Sequence, residues 1–164
     1  MKYAITGHTG LIGGHLYKNL PNCVGFSRST GFDITDDDAQ DRIILESYMC
    51  DVFINCAHGG PGTAQTELLW KFFHRWKNHN KYIINIGSDS ADPNTWSLVR
   101  PEYSLEKTIL SATVDNIQKQ HKSECKVSII NPNVVSNHML EDILNAVLFI
   151  VNSKTNITSI NLQQ

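Results

Sequence analysis

The chain has 164 residues, a net charge of -2 and 18% charged residues, which suits one domain over residues 1–164 with a single core. No basic stripe or cationic amphipathic stretch argues for nucleic acid or a membrane surface, and the longest apolar runs are far too short to span a bilayer. Four scattered cysteines without CxxC spacing read as small buried apolar residues in a reducing, cytoplasmic setting. The seven histidines form no convincing ligand set, so no metal is expected.

In chain order, strand-like runs alternate with helical ones. Tyr3–Thr6 reads as the first strand, so close to the N-terminus that a signal peptide has no room. A helix over Leu11–Leu20 follows, then a strand over Cys23–Ser27. Phe32–Ile34 reads as a loop or stub at the C-terminal edge of the strands. Only Ser29, Thr30 and Gly31 precede it, too few for a parallel crossover. A helix over Asp36–Met49 opens with Thr35 and Asp38 in capping-box spacing and three aspartates at its positive end. Next come a strand over Val52–Cys56, a helix over Thr63–Asn78, a strand over Tyr82–Ile86 and a helix over Pro101–His121, with Pro101 tolerated in its first turn. Val127–Asn131, a helix over His138–Val151 and Ile157–Leu162 complete the chain. The near-continuous apolar strands fit a parallel sheet buried on both faces. The expectation is a three-layer α/β, doubly wound sheet of about six strands in the order 2-1-3-4-5-6.

The first strand runs straight into Thr6-Gly7-His8-Thr9-Gly10-Leu11-Ile12-Gly13 and then a helix. One glycine permits the turn, a second lets backbone approach a diphosphate and a third allows close helix–strand packing. The helix N-terminus adds unpaired N–H groups and a positive dipole end. Gly7–Gly13 are therefore assigned to dinucleotide binding. After the second strand, where NAD sites usually carry an acid, stand Ser27, Arg28 and Ser29. A guanidinium flanked by hydroxyls suits a 2′-phosphate, so NADP is the expected cofactor.

Five segments then resemble, in order, the motifs of the short-chain dehydrogenase/reductase family. TGxxGxIG matches the glycine signature, and Asn55-Cys56-Ala57-His58 resembles the NNAG element. Ile84-Asn85-Ile86-Gly87-Ser88 resembles the strand ending in the active-site serine. Tyr103-Ser104-Leu105-Glu106-Lys107 matches YxxxK, and Pro132-Asn133-Val134-Val135-Ser136-Asn137 resembles PGxVxT. The resemblance implies a Rossmann-like fold and a carbonyl–hydroxyl oxidoreductase acting on a small-molecule substrate. In it, Ser88 holds the substrate oxygen, Tyr103 exchanges the proton, and Lys107 supports the phenol and binds the nicotinamide ribose. It also implies cofactor contacts at Asp33 (to the adenine amino group), Ile34, Asn55, Cys56, Ala57, Pro132, Val134 and Val135, with His58 over the nicotinamide side. Tyr103 and Lys107 are four apart on one helix face. An ammonium beside a phenol of pKa near 10 stabilises the phenolate. Ser90, thirteen residues before Tyr103, keeps the family interval and competes with Ser88, which occupies the strand end.

The chain is shorter than most members of that family. Asn133 and Asn137 stand where the pattern has glycine and threonine; asparagine tolerates a left-handed turn at the former. The helical asparagine of the family has no clear match, with Gln65 or Thr66 nearby. A shallow, open substrate site follows. The alternatives are a non-catalytic NADP-binding or redox-sensing protein and a truncated sugar-nucleotide epimerase or reductase. The resemblance also implies a homodimer or homotetramer through Leu68–Trp76 and Tyr103–Gln120, where Trp70, Phe72, Phe73 and Trp76 exceed what one buried stripe requires.

Overall fold

The computed structural model describes residues 1–92, 100–120 and 122–163. Its strands are β1 (Tyr3–Thr6), β2 (Cys23–Phe26), β3 (Val52–Asn55), β4 (Tyr82–Ile86), β5 (Lys126–Pro132) and β6 (Ser159–Leu162). Its helices are α1 (Leu11–Asn19), α2 (Asp37–Glu46), α3 (Ala64–Trp76), α4 (Pro101–Gln120) and α5 (Asn137–Asn152). The last residue of the predicted fourth helix, His121, lies outside the described residues. The strands form one all-parallel sheet in the order β2-β1-β3-β4-β5-β6. Phe32–Ile34 joins no strand, and α2 supplies the crossover from β2 to β3.

Successive strand residues point to opposite faces, so each short apolar run feeds two cores. Phe53, Ile83 and Val127 pack under α2, α3 and α4, beside Ile43, Phe72, Trp76 and Val114. Ile54, Ile84 and Ile130 pack under α1 and α5, beside Leu16, Ile143 and Val147. Phe53 and Phe72 stack with centroids 3.5 Å apart, and Trp76 meets Phe72 edge-on at 5.1 Å. The surplus of aromatics on α3 is therefore used inside the monomer: Phe72, Phe73 and Trp76 are buried, and Trp70 is half-buried against the same core.

Two local expectations are corrected. The cap of α2 is Asp36, whose side chain accepts from the Asp38 backbone N–H, whereas the Thr35 hydroxyl donates to Asp33 Oδ1 at 2.9 Å. Nor does Asn133 take up a left-handed turn. The Val134 N–H donates to Asn133 Oδ1 at 2.7 Å, a local bond that closes the bend from the side chain. Among the described non-glycine residues, only Asn22 has positive φ, at 52°.

Candidate active site

The loop from β1 to α1 is built from backbone alone. Gly7 turns with φ 70°, its N–H donates to Phe26 O, and its carbonyl accepts from the Gly10 N–H at 2.9 Å. A Cβ on Gly13 would lie 2.3 Å from Gly7 O, so helix and loop close to a distance only glycine permits. The N-cap of α1, Gly10, makes no side-chain bond, and the first turn holds no acid. The Gly10 and Gly13 N–H groups are engaged by Gly7 O and Cys56, which leaves those of Leu11 and Ile12, with the positive dipole end of α1, as a cradle that fits a diphosphate. Thr6 ties this loop to the next, because its Oγ1 accepts from the N–H groups of Cys56 and Ala57 at 2.9 and 3.1 Å.

Above the cradle lies a cavity of about 650 Å³, within the usual range for small-molecule sites. It brings together Gly7, Thr9, Gly10, Leu11, Ile12 and Gly13 with Ser27, Arg28 and Ser29. Asp33 and Ile34 close the end beside Arg28, Cys56, Ala57 and His58 form the middle wall, and Val135 reaches in from the loop after β5. Burial pushes the Cys56 thiol up to about 12, so it is a protonated wall at neutral pH.

At that end, Arg28 Nε lies 2.7 Å from Asp33 Oδ2. The Asp33 carboxyl is held below its ordinary value, first by the Thr35 backbone N–H and then, against some desolvation, by the Thr35 hydroxyl and Arg28. The hydroxyls of Thr9, Ser27 and Ser29 form a chain beside them, with contacts of 3.3 and 2.9 Å.

The other end is organised by α4. Tyr103 meets the His58 ring edge-on, centroids 5.2 Å apart, and the Lys107 ammonium lies 5.5 Å from the Tyr103 ring centre. Lys107 is 4% exposed. Its Nζ donates to Gln65 Oε1 at 2.8 Å and to Ile86 O at 3.1 Å. Burial pulls its pKa down to about 8, opposed in part by Cys56 and Glu106. Glu106 clasps the loop after β3: one oxygen lies 2.7 Å from His58 Nε2 and the other accepts from the Gly62 N–H at 2.6 Å. The Gly60 N–H points at His58 Nδ1, so the ring's own proton sits on Nε2 and is donated to Glu106. Ser88 caps the short turn Asp89–Ala91, and its Oγ accepts from Ser90 N–H at 3.2 Å and Ser90 Oγ at 2.9 Å. The two candidate serines are thus one hydrogen-bonded pair at the end of β4.

Neither a protein-family model nor a curated protein matches the sequence. Solved structures do. A serine dehydrogenase from Escherichia coli is 16% identical, with 99% of this chain and 97% of that one covered and a TM-score of 0.73. A small-chain dehydrogenase in complex with NADPH is 16% identical, covered at 99% and 96%, with a TM-score of 0.78. A 3-alpha-hydroxysteroid dehydrogenase from Pseudomonas complexed with NADH is 12% identical, covered at 98% and 95%, with a TM-score of 0.74. The chain has the short-chain dehydrogenase fold.

Within that dehydrogenase fold, several expected cofactor residues stand elsewhere. Asn55 is fully buried. Its Nδ2 donates to Gln65 O and Asn85 Oδ1, and its carbonyl accepts from Gln65 Nε2, so it knits β3, α3 and β4 rather than facing the cavity. His8 turns away from the cavity and under the loop, against Gly25, where a Cβ would lie 2.4 Å from its ring. Pro132 ends β5 in the buried layer, and Val134 is exposed outside the cavity wall. Tyr103, Lys107 and Ser88 stand outside the walls of this cavity, with the Tyr103 ring against His58, which is one of them. Glu106 went unrecognised in the sequence because one acid between two motif residues carries no periodic signal. The sequence puts Gln65 near the site, and its contact with Lys107 is one that only the sheet's topology creates.

Proposed function

We propose that this chain is an NADP(H)-dependent oxidoreductase that interconverts a carbonyl and a hydroxyl group. One observation carries the reading: a phenol and a buried ammonium share a turn of α4 beside His58, which walls a cavity whose floor is a glycine-built loop. A nicotinamide bound there would supply or accept the hydride. Tyr103 would give its proton to the developing alkoxide oxygen in reduction and take it back in oxidation. Lys107 would stabilise the phenolate and, with its remaining hydrogen, bind a ribose hydroxyl. Gln65 and the Ile86 carbonyl hold it in place. Ser88, sharing its hydroxyl with Ser90, would hold the substrate oxygen. Arg28 is the group that favours the phosphorylated cofactor.

The test is titration of the purified protein with NADPH and NADH, followed by a panel of aldehydes and ketones. The reading expects NADPH to bind more tightly and to be oxidised with some member of the panel. Tight binding without turnover on any carbonyl would instead support a cofactor-sensing protein.

Self-association is proposed separately, through the outer faces of α3 and α4 rather than through the α3 aromatics. Leu105 on α4 is 51% exposed and is the apolar residue offered there. Sedimentation of the wild type and of Leu105→Glu would show whether that face carries it.

A further inference from the structure

We propose that Asp33 is a built-in competitor for the cofactor's 2′-phosphate. It holds Arg28 in an ion pair that the phosphate must displace or share, so affinity at the adenosine end is set by exchanging one anion for another. The inference rests on the cofactor reading above and assigns Asp33 a role other than receiving the adenine amino group.

The pair is made locally. Ser27 O accepts from the N–H groups of Thr30 and Phe32, and Gly31 turns with φ 86°, folding residues 27–32 so that Arg28 faces Asp33. Arg28 Nε lies 2.7 Å from Asp33 Oδ2, and Nη2 points at Gly59 O at 3.5 Å. The Nε–Nη2 edge of the guanidinium, one of the two that can grip a phosphate with paired N–H groups, is therefore already engaged. Asp33 is fixed from its other side, since Oδ1 accepts from Thr35 N at 3.0 Å and Thr35 Oγ1 at 2.9 Å. Both side chains line the cavity. A phosphate arriving there meets a cation whose charge is neutralised in advance, and a carboxylate that repels it.

The pair is partly exposed, the two side chains at 67% and 33%, so solvent screening keeps its effect modest, on the order of a two- to fivefold change in affinity. Asp33→Asn keeps an oxygen for Thr35 and removes the charge. Asp33→Ser does the same without offering a new amide donor. Fluorescence titration with NADPH and NADH would be made on wild type, both Asp33 variants, Arg28→Ala and the Arg28→Ala/Asp33→Asn double variant. NADPH is expected to bind both Asp33 variants about two- to fivefold more tightly, with NADH changing less. Most of the gain should be lost in the Arg28→Ala background, where only the direct repulsion between carboxylate and phosphate is left to relieve. Weaker NADPH binding by the Asp33 variants, or a gain that is undiminished without Arg28, overturns the inference and leaves the cofactor reading standing. A wild-type protein that binds neither nucleotide overturns the cofactor reading, and this inference with it.

Discussion

The Lys107 ammonium sits 5.5 Å from the centre of the Tyr103 ring while hydrogen-bonded to Gln65 and to the carbonyl that ends β4. Lys107 is thereby anchored to α3 and to the end of β4 and not to solvent. This rigidity is what a proton-transfer group needs if its geometry is to be held before the substrate arrives.

Replacing Tyr103 by Phe removes the hydroxyl and leaves the ring against His58. The turnover rate should fall by about 10²–10⁴-fold, the usual worth of a positioned general acid. NADPH affinity and the melting temperature should stay close to wild type. Steady-state kinetics beside a binding titration would separate the two; unchanged turnover would remove Tyr103 from the mechanism.

The pH dependence follows from the burial of Lys107, whose folded pKa of about 8 lies below its ordinary 10.5. Below about pH 8 the residue is charged in both folded and unfolded chains, and burying that charge costs stability throughout. As pH rises from about 8 towards 10.5, the unfolded chain holds the proton and the folded chain does not, so this contribution to stability increases. The ammonium is lost over the same window, so turnover that depends on it should decline above about pH 8. Lys107→Met should be inactive, and the wild type should gain in melting temperature relative to it between pH 8 and 10. A flat difference across that range would contradict the assignment.

Glu106→Gln tests the clasp between α4 and the loop after β3. Glutamine keeps one acceptor for the Gly62 N–H or His58 but brings an amide donor to face the other, where the carboxylate now accepts from both. The expected loss is about 1–2 kcal/mol of stability, as for a charge-assisted bond left unmade, measured by urea denaturation. If the variant is as stable as wild type, the clasp contributes nothing.

Gly13→Ala would set a methyl 2.3 Å from Gly7 O and 2.7 Å from the carbonyl carbon. Backbone, not a flexible side-chain tip, must then move, at about 1–3 kcal/mol. The cradle should lose nucleotide affinity more than tenfold while the far end of the sheet stays folded. Calorimetric titration with NADPH checks this, and wild-type affinity in the variant would show that α1 does not hold the diphosphate.

Strand and helix order, the sheet order, the glycine cradle and the Arg28 region were all readable along the chain, because each is carried by local signals: apolar runs, a glycine triplet, turn chemistry. Boundaries drifted by a residue or a few, as at Asp36–Met49, which the structure shortens to Asp37–Glu46. The cap there moved from Thr35 to Asp36 because two neighbouring oxygens compete for the same N–H groups and only the loop's path decides between them.

What the linear order could not express is which polar groups meet once the strands are aligned. β3 and β4 pair Asn55 with Asn85, so a residue that resembles a cofactor contact becomes a buried amide linking strands. Gln65, forty-two residues from Lys107, becomes its acceptor. Arg28 and Asp33, each read as a separate contact to the cofactor, prove to be partners. By itself the sequence determined the scaffold and the position of the glycine loop, since backbone periodicity and glycine sterics act over a few residues. The tertiary structure alone decided which charges and amides neutralise one another, because those interactions act through space, between side chains that share no local pattern.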